Sequence, residues 1–187
     1  TSDDAVKLEW LPRWIAIIGS GYIGLEFADV YTALGCEVTM IEALKNIMPT
    51  FDPDITKIAK KTLIKSRDIE TISNVFATKI TPGCPVSIEL MDASSKETLD
   101  NLEVDAVLVA TGRIPNTEGL NLESIGIDTI KGYIPIDEKM RVIKSGKIVP
   151  NIWAVGDVTG KLMLAHTAAA QGTIAVENIC GNSKEIN

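Results

Sequence analysis

The apolar run Trp14-Ile15-Ala16-Ile17-Ile18 stops at Gly19, and Gly19-Ser20-Gly21-Tyr22-Ile23-Gly24 follows at G-x-G-x-x-G spacing. Few features restrict a fold more, because each glycine answers a different steric demand. The first permits a tight turn, the second lets backbone approach a pyrophosphate, and the third lets a helix pack on the strand. The pattern predicts strand, turn and helix, with an anion at the helix N-terminus, where unsatisfied N–H groups and the dipole favour it. From Tyr22 to Leu34 the apolar residues Ile23, Phe27, Val30, Tyr31 and Leu34 recur at helical spacing, and Gly35 suits the helix C-terminus. Glu37–Glu42 then reads as a second strand, which completes a βαβ-type opening.

Glu42 ends that second strand, 21 positions beyond Gly21. A carboxylate there can accept hydrogen bonds from both hydroxyls of an adenine ribose and repels a 2′-phosphate, so the spacing predicts NAD rather than NADP. A glutamate at a strand end is ordinarily just solvated. The glycine motif ahead of it tips the reading to ribose binding.

Asn46–Pro53 is a turn-rich link, and a helix is predicted over Asp54–Ser66, with Ile55, Ile58, Ala59, Leu63 and Ile64 on one side and its lysines on a solvated face. Four strand-like pieces follow, Ile69–Ile72, Val75–Thr81, Val86–Met91 and Thr98–Leu102, at a spacing that predicts an antiparallel meander. Val104–Ala110 reads as a buried strand closing on Thr111-Gly112. Arg113–Asn116 breaks regular structure, so the domains are expected at 1–116 and 117–187. Beyond it, Tyr133–Ile136, Arg141–Ile143 and Ile152–Val155 read as strands, Lys144–Lys147 as a turn, and His166–Cys180 as a helix closed by Gly181. Two strands end in similar chemistry, at Gly112 and at Gly156-Asp157, which points to two dinucleotide sites, one per domain.

Composition removes several function classes. A net charge of −7 without a basic cluster argues against nucleic-acid binding. No apolar run approaches the roughly 18 residues of a membrane span. The start, Thr1-Ser2-Asp3-Asp4, carries no signal-peptide pattern, and the absence of an initiator Met reads as a piece of a longer chain. Cys36, Cys84 and Cys180 lie far apart, which fits a reducing compartment rather than a disulfide framework. With a single histidine, a metal site or a Ser/His/Asp triad has little to draw on, and no metal is expected.

Taken in order, Ile18–Glu26, Ala110-Thr111-Gly112-Arg113-Ile114-Pro115-Asn116, Ala154–Asp157 and Met163–His166 resemble the flavin-dependent disulfide reductases. Within them the chain looks most like the dihydrolipoamide dehydrogenases of plastids and cyanobacteria, through Thr32–Gly35, Ile41–Leu44 and Met48-Pro49. The resemblance covers nearly the whole chain and implies an α/β fold. This is a Rossmann-like NAD-binding domain, a parallel sheet with an antiparallel meander, plus the second segment of an FAD-binding domain. For the full-length protein it implies a homodimeric plastid enzyme. That enzyme reoxidises the dihydrolipoyl group on the lipoyl domain of a 2-oxoacid dehydrogenase complex, such as the pyruvate dehydrogenase complex, through a disulfide and FAD to NAD.

Residue by residue, the resemblance implies that Gly19, Ser20, Gly21, Tyr22, Ile23, Gly24 and Glu26 wrap the NAD pyrophosphate and reach toward the nicotinamide, with Tyr22 at the nicotinamide pocket. Glu42 matches the ribose ligand, Val75 an adenine-side contact and Gly112 a backbone approach to NAD. Asp157 matches the carboxylate that holds the FAD ribityl chain, with plain helix capping as the alternative. Met163, Leu164, Ala165 and His166 match the segment beside the flavin, where a helix N-terminus can stabilise negative charge. The family's redox C-x-x-x-x-C and its His–Glu base have no counterpart among these residues. No catalytic residue is therefore expected here, and the chain alone is expected to be inactive. Two other readings stand beside this one: another member of the superfamily, of the mercuric reductase or NADH oxidase type, and a stand-alone module that senses NADH.

Overall fold

In the computed structural model, residues 1–49 and 51–186 are described. Thr50, in the turn-rich link, and Asn187, at the end of the second expected segment, lie outside the described residues. The chain divides into two units, Thr1–Gly112 and Arg113–Asn187.

The first unit runs through α1 (Ser2–Ala5), β1 (Trp14–Ile18), α2 (Tyr22–Ala33), β2 (Glu37–Glu42), α3 (Pro53–Ala59), β3 (Glu70–Ser73), β4 (Val75–Thr81), β5 (Val86–Asp92), β6 (Leu102–Val104) and β7 (Ala106–Val109). A parallel sheet has the order β3-β2-β1-β7, and β4-β5-β6 form an antiparallel meander. Alternation along the strands explains the two layers. Ile15, Ile17, Val38 and Met40 belong to one core with Leu25, Ala28 and Tyr31 of α2. Their neighbours Ala16 and Ile41 belong to another, with Val75, Ile88, Leu90 and Val104 of the meander. Both faces of the sheet are covered, so β1 reads as an unbroken apolar run, and in β2 the buried Val38, Met40 and Ile41 are joined by a buried Thr39.

Four expectations in this unit change. The piece at Ile69–Ile72 is not part of the meander: it becomes β3 and pairs parallel to β2, Thr39 opposite Glu70. The helical link before it is long enough for the crossover that parallel pairing needs. That link is not one helix. After α3, whose N-cap Asp52 accepts a hydrogen bond from Asp54 N, come a π turn over Lys60–Ile64 and a 3₁₀ turn over Lys65–Arg67. There Ser66 Oγ donates to the Thr62 carbonyl and competes with the helical ladder.

Of Thr98–Leu102, Thr98 makes an isolated bridge to Met91 and Leu102 opens β6 opposite Ile88, so the strand is displaced to Leu102–Val104. The run Val104–Ala110 is cut at Asp105, which separates β6 of the meander from β7 of the sheet. Asp105 Oδ2 accepts from Arg13 N (2.9 Å) and Trp14 N (3.0 Å), fixing the entry to β1.

The second unit holds β8 (Arg141–Lys144), β9 (Lys147–Trp153) and α4 (Ala165–Ile179). Ser145 and Gly146 both have positive φ, 49° and 76°, the geometry of a two-residue hairpin turn. Tyr133–Ile136 is not a strand. It makes only the isolated bridges Ile130–Tyr133 and Ile136–Val142, because Pro135 has no N–H to extend a ladder. The core gathers Ile127, Ile134, Ile136, Met140, Val142 and Ile174.

Asp137 organises the turn before β8. Its carboxylate accepts from Lys139 N (3.0 Å), Arg141 N (2.9 Å) and Arg141 Nε (2.8 Å). Burial alone would raise its pKa, but the hydrogen bonds from Arg141 and Lys139 and the guanidinium charge outweigh that and hold it below the ordinary value. A carboxylate depressed in the folded state stabilises above its unfolded pKa, and that stability is lost as pH falls through the folded value. Asp137→Asn is therefore expected to lose about 1–3 kcal/mol at pH 7. Its thermal midpoint should converge with the wild type as both are taken below about pH 3.8. Parallel curves from pH 7 to pH 3 would contradict this.

Among the described residues, no helix is long and apolar enough to cross a membrane.

Candidate functional site

Because the four sheet strands are parallel, their carboxyl ends share one edge, and β1 lies between β2 and β7. The chain runs from β1 to β2 and β3 on one side and returns to β7 on the other, so the strand order reverses at β1, the arrangement in which open α/β sheets receive ligands. Gly19 N donates to the Ile41 carbonyl and Ala110 N to the Ile18 carbonyl, each at 2.8 Å, which fixes the glycine loop between its neighbours.

The three glycines separate by what surrounds them. Gly19 has φ +104°, and a Cβ there would stand 2.5 Å from the Ala110 carbonyl oxygen. A Cβ on Gly24 would stand 2.1 Å from the Gly19 carbonyl oxygen. On Gly21 it would meet nothing within 4 Å. The protein's own packing thus demands two of the glycines, while the third faces open space. Gly21 is also the N-cap of α2, and no side chain caps that terminus. Open space beside uncapped N–H groups is what a pyrophosphate requires.

Glu42 is 7% exposed and Ser20 is fully buried. One carboxylate oxygen of Glu42 accepts from Ser20 N (3.0 Å) and Ser20 Oγ (2.5 Å), the other from Leu44 N (2.9 Å). Ser20 Oγ in turn accepts from Met48 N at 3.0 Å. A carboxylate offers about four lone-pair positions, so about one remains. As it stands, Glu42 can receive one ribose hydroxyl rather than both.

Tyr22 is 44% exposed at the start of α2, Ile23 is half-buried, and Glu26 is exposed one turn later on the same face. Val75 is 5% exposed, its side chain in the core with Ala16 and Ile41. Gly112, φ +139°, lies just past β7 with open space beside it. Sequence reasoning missed the loop 44–48, whose N–H groups at Leu44 and Met48 complete the Glu42 network. Its position directly after β2 was the available signal. The helical lysines Lys57, Lys61 and Lys65 are exposed, as expected, and with Lys60 and Lys45 they line one side of an open cavity of about 820 Å³ beside this loop. These cations would welcome a phosphate, and the buried carboxylate opposes one.

In the second unit, Asp157 is exposed and opens a 3₁₀ turn, Asp157–Thr159, with no side-chain capping bond. The preceding Gly156, φ +81°, donates its N–H to Oε1 of Gln171 at 2.7 Å, and Gln171 is 1% exposed. Helix α4 begins at Ala165 with no side-chain cap on its N-terminus. Leu164, Ala165 and His166 are exposed there, and Met163 is half-buried beside the Tyr133 hydroxyl. Cys36 is buried, which pushes its thiol pKa up, while Cys84 and Cys180 are exposed. Among the described residues, no three His, Cys, Asp or Glu side chains gather to hold a metal ion.

Residues 1–172 match the family described as pyridine nucleotide-disulphide oxidoreductase. The chain is 68% identical over its whole length to a dihydrolipoyl dehydrogenase of Synechocystis sp., covering 40% of that protein. It is 59% identical over its whole length to dihydrolipoyl dehydrogenase 2, chloroplastic, of Arabidopsis thaliana, covering 34% of it. The crystal structure of LpdA from Mycobacterium tuberculosis superposes with a TM-score of 0.82 at 33% identity, over 97% of this chain and 38% of that one. The chain therefore spans about two-fifths or less of the length of these relatives.

Proposed function

The chain belongs to the pyridine nucleotide-disulphide oxidoreductase family, and on that footing we propose that it is the NAD-binding portion of a dihydrolipoyl dehydrogenase. The whole protein would reoxidise a protein-bound dihydrolipoyl group through a redox disulfide and FAD to NAD. The observation that carries this is the glycine loop, with open space at Gly21 and an uncapped α2 N-terminus at the carboxyl edge of a parallel sheet. Tyr22 and Glu26 continue along α2 from that loop, toward the reacting end of the nucleotide. Bound there, the dinucleotide supplies hydride-accepting chemistry. The chain's residues hold its phosphates on backbone N–H groups, fix its ribose at Glu42 and exclude the 2′-phosphorylated form.

The second unit offers Asp157 as a free carboxylate and the α4 N-terminus as a positive dipole end, which supports its reading as part of an FAD-binding domain, with 1–116 and 117–187 as the working division. The three cysteines are not spaced as C-x-x-x-x-C, so the dithiol step is not assigned to them. The 59% identical chloroplastic relative supports a plastid. A homodimer serving the lipoyl domain of a 2-oxoacid dehydrogenase complex follows from the same reading.

Calorimetric titration of the chain with NADH and NADPH tests it. NADH is expected to bind at least about tenfold more tightly, a difference near 1.4 kcal/mol. Tighter NADPH binding would overturn the role of Glu42, and absence of binding by either would overturn the dinucleotide reading.

A further inference from the structure

Ser20 occupies the variable position between the first two glycines, among the residues expected to wrap the pyrophosphate. Its side chain is fully buried. Its N–H and its hydroxyl hydrogen both go to Glu42, at 3.0 and 2.5 Å, and the hydroxyl oxygen accepts from Met48 N at 3.0 Å. One fully buried hydroxyl thus joins the glycine loop, the end of β2 and the loop 44–48. We propose that Ser20 is a positioning residue that sets the choice between NAD and NADP by fixing the Glu42 carboxylate; this rests on the dinucleotide reading above.

Discrimination against a 2′-phosphate needs a negative charge held in place, because a carboxylate free to swing aside leaves the cationic cavity to decide. Lys45 follows Glu42 by three positions and sits on that cavity. Without the hydroxyl, Glu42 loses its shortest hydrogen bond and Met48 N loses its acceptor. The carboxylate then loosens together with the loop that carries Lys45. Both changes favour the phosphorylated nucleotide.

In Ser20→Ala the Kd for NADH is expected to rise about five- to tenfold, while that for NADPH stays constant or falls. A purely structural defect would weaken both nucleotides by one factor, so the ratio of the two Kd values separates positioning from general damage. Ser20→Gly removes the hydroxyl without leaving a methyl at a fully buried position, and serves if the alanine variant folds poorly. Thermal melts by circular dichroism identify which variant to use. If the wild type binds NADH and either folded variant keeps the wild-type ratio, this inference is overturned and the dinucleotide reading stands. If the wild type binds neither nucleotide, both fall together.

Discussion

In Gly24→Ala the thermal midpoint is expected to fall by more than about 6 °C, whereas in Gly21→Ala it stays within about 2 °C and NADH binding weakens instead. The two glycines stand three residues apart in one motif, so a shared role would predict similar effects. Their surroundings predict opposite ones. At Gly24 a methyl would be driven to 2.1 Å from the Gly19 carbonyl oxygen, a backbone atom that no rotamer change can move. Relief requires α2 to lift from β1, which disturbs the packing of Leu25 and Ala28 against Ile17. Overpacking of this kind costs about 3 kcal/mol or more when backbone must give.

At Gly21 a methyl meets nothing within 4 Å, and φ is −69°, which alanine adopts freely. The methyl instead occupies the space left for a pyrophosphate, and the Kd for NADH should rise at least about tenfold. Melting curves and titrations on both variants check this. Gly21→Ala that binds NADH as the wild type does would mean that the phosphates do not approach this glycine.

Glu42→Gln is expected to cost about 2 kcal/mol, roughly 4–8 °C of midpoint, and to reduce the NADH-over-NADPH preference at least about tenfold. The stability loss follows from donor counting. Glu42 accepts from Ser20 N, Ser20 Oγ and Leu44 N using both oxygens. A glutamine has one oxygen, and its NH₂ must then face the N–H of Ser20 or of Leu44, neither of which can accept. A buried donor is left without a partner. The loss of preference follows from charge. At a separation of roughly 5 Å and an effective dielectric near 20, the carboxylate opposes each unit of phosphate charge by about 3 kcal/mol. A solvated glutamate would predict a stability change within about 0.5 kcal/mol, and that outcome would remove Glu42 from the site.

Much of the first unit was legible because its demands are local. A strand that must stop, turn and become a helix without side chains at the contact points records those requirements as Gly19, Gly21 and Gly24. The alternation of Ile15 and Ile17 against Ala16 records two covered faces. Partner choice was not legible. Glu70–Ser73 has the composition of any short strand, and whether it joins the meander or the parallel sheet depends on the path of the helical link before it. The division at Asp105 was hidden for a related reason. An aspartate in an apolar run reads as a tolerated interruption until the N–H groups of Arg13 and Trp14, distant in sequence, are brought to its carboxylate.

The sequence by itself determined that a βαβ unit would present a glycine loop with a carboxylate at the end of its second strand, because spacing and local sterics leave little else. Only the tertiary structure decided what that carboxylate does with its oxygens. It turned Glu42 inward onto Ser20 and Leu44, drew Met48 into the same network and set a lysine-lined cavity beside it. The reason is that hydrogen-bond partners are assigned by proximity in space. The loop 44–48 reaches the glycine loop only after β2 has paired with β1.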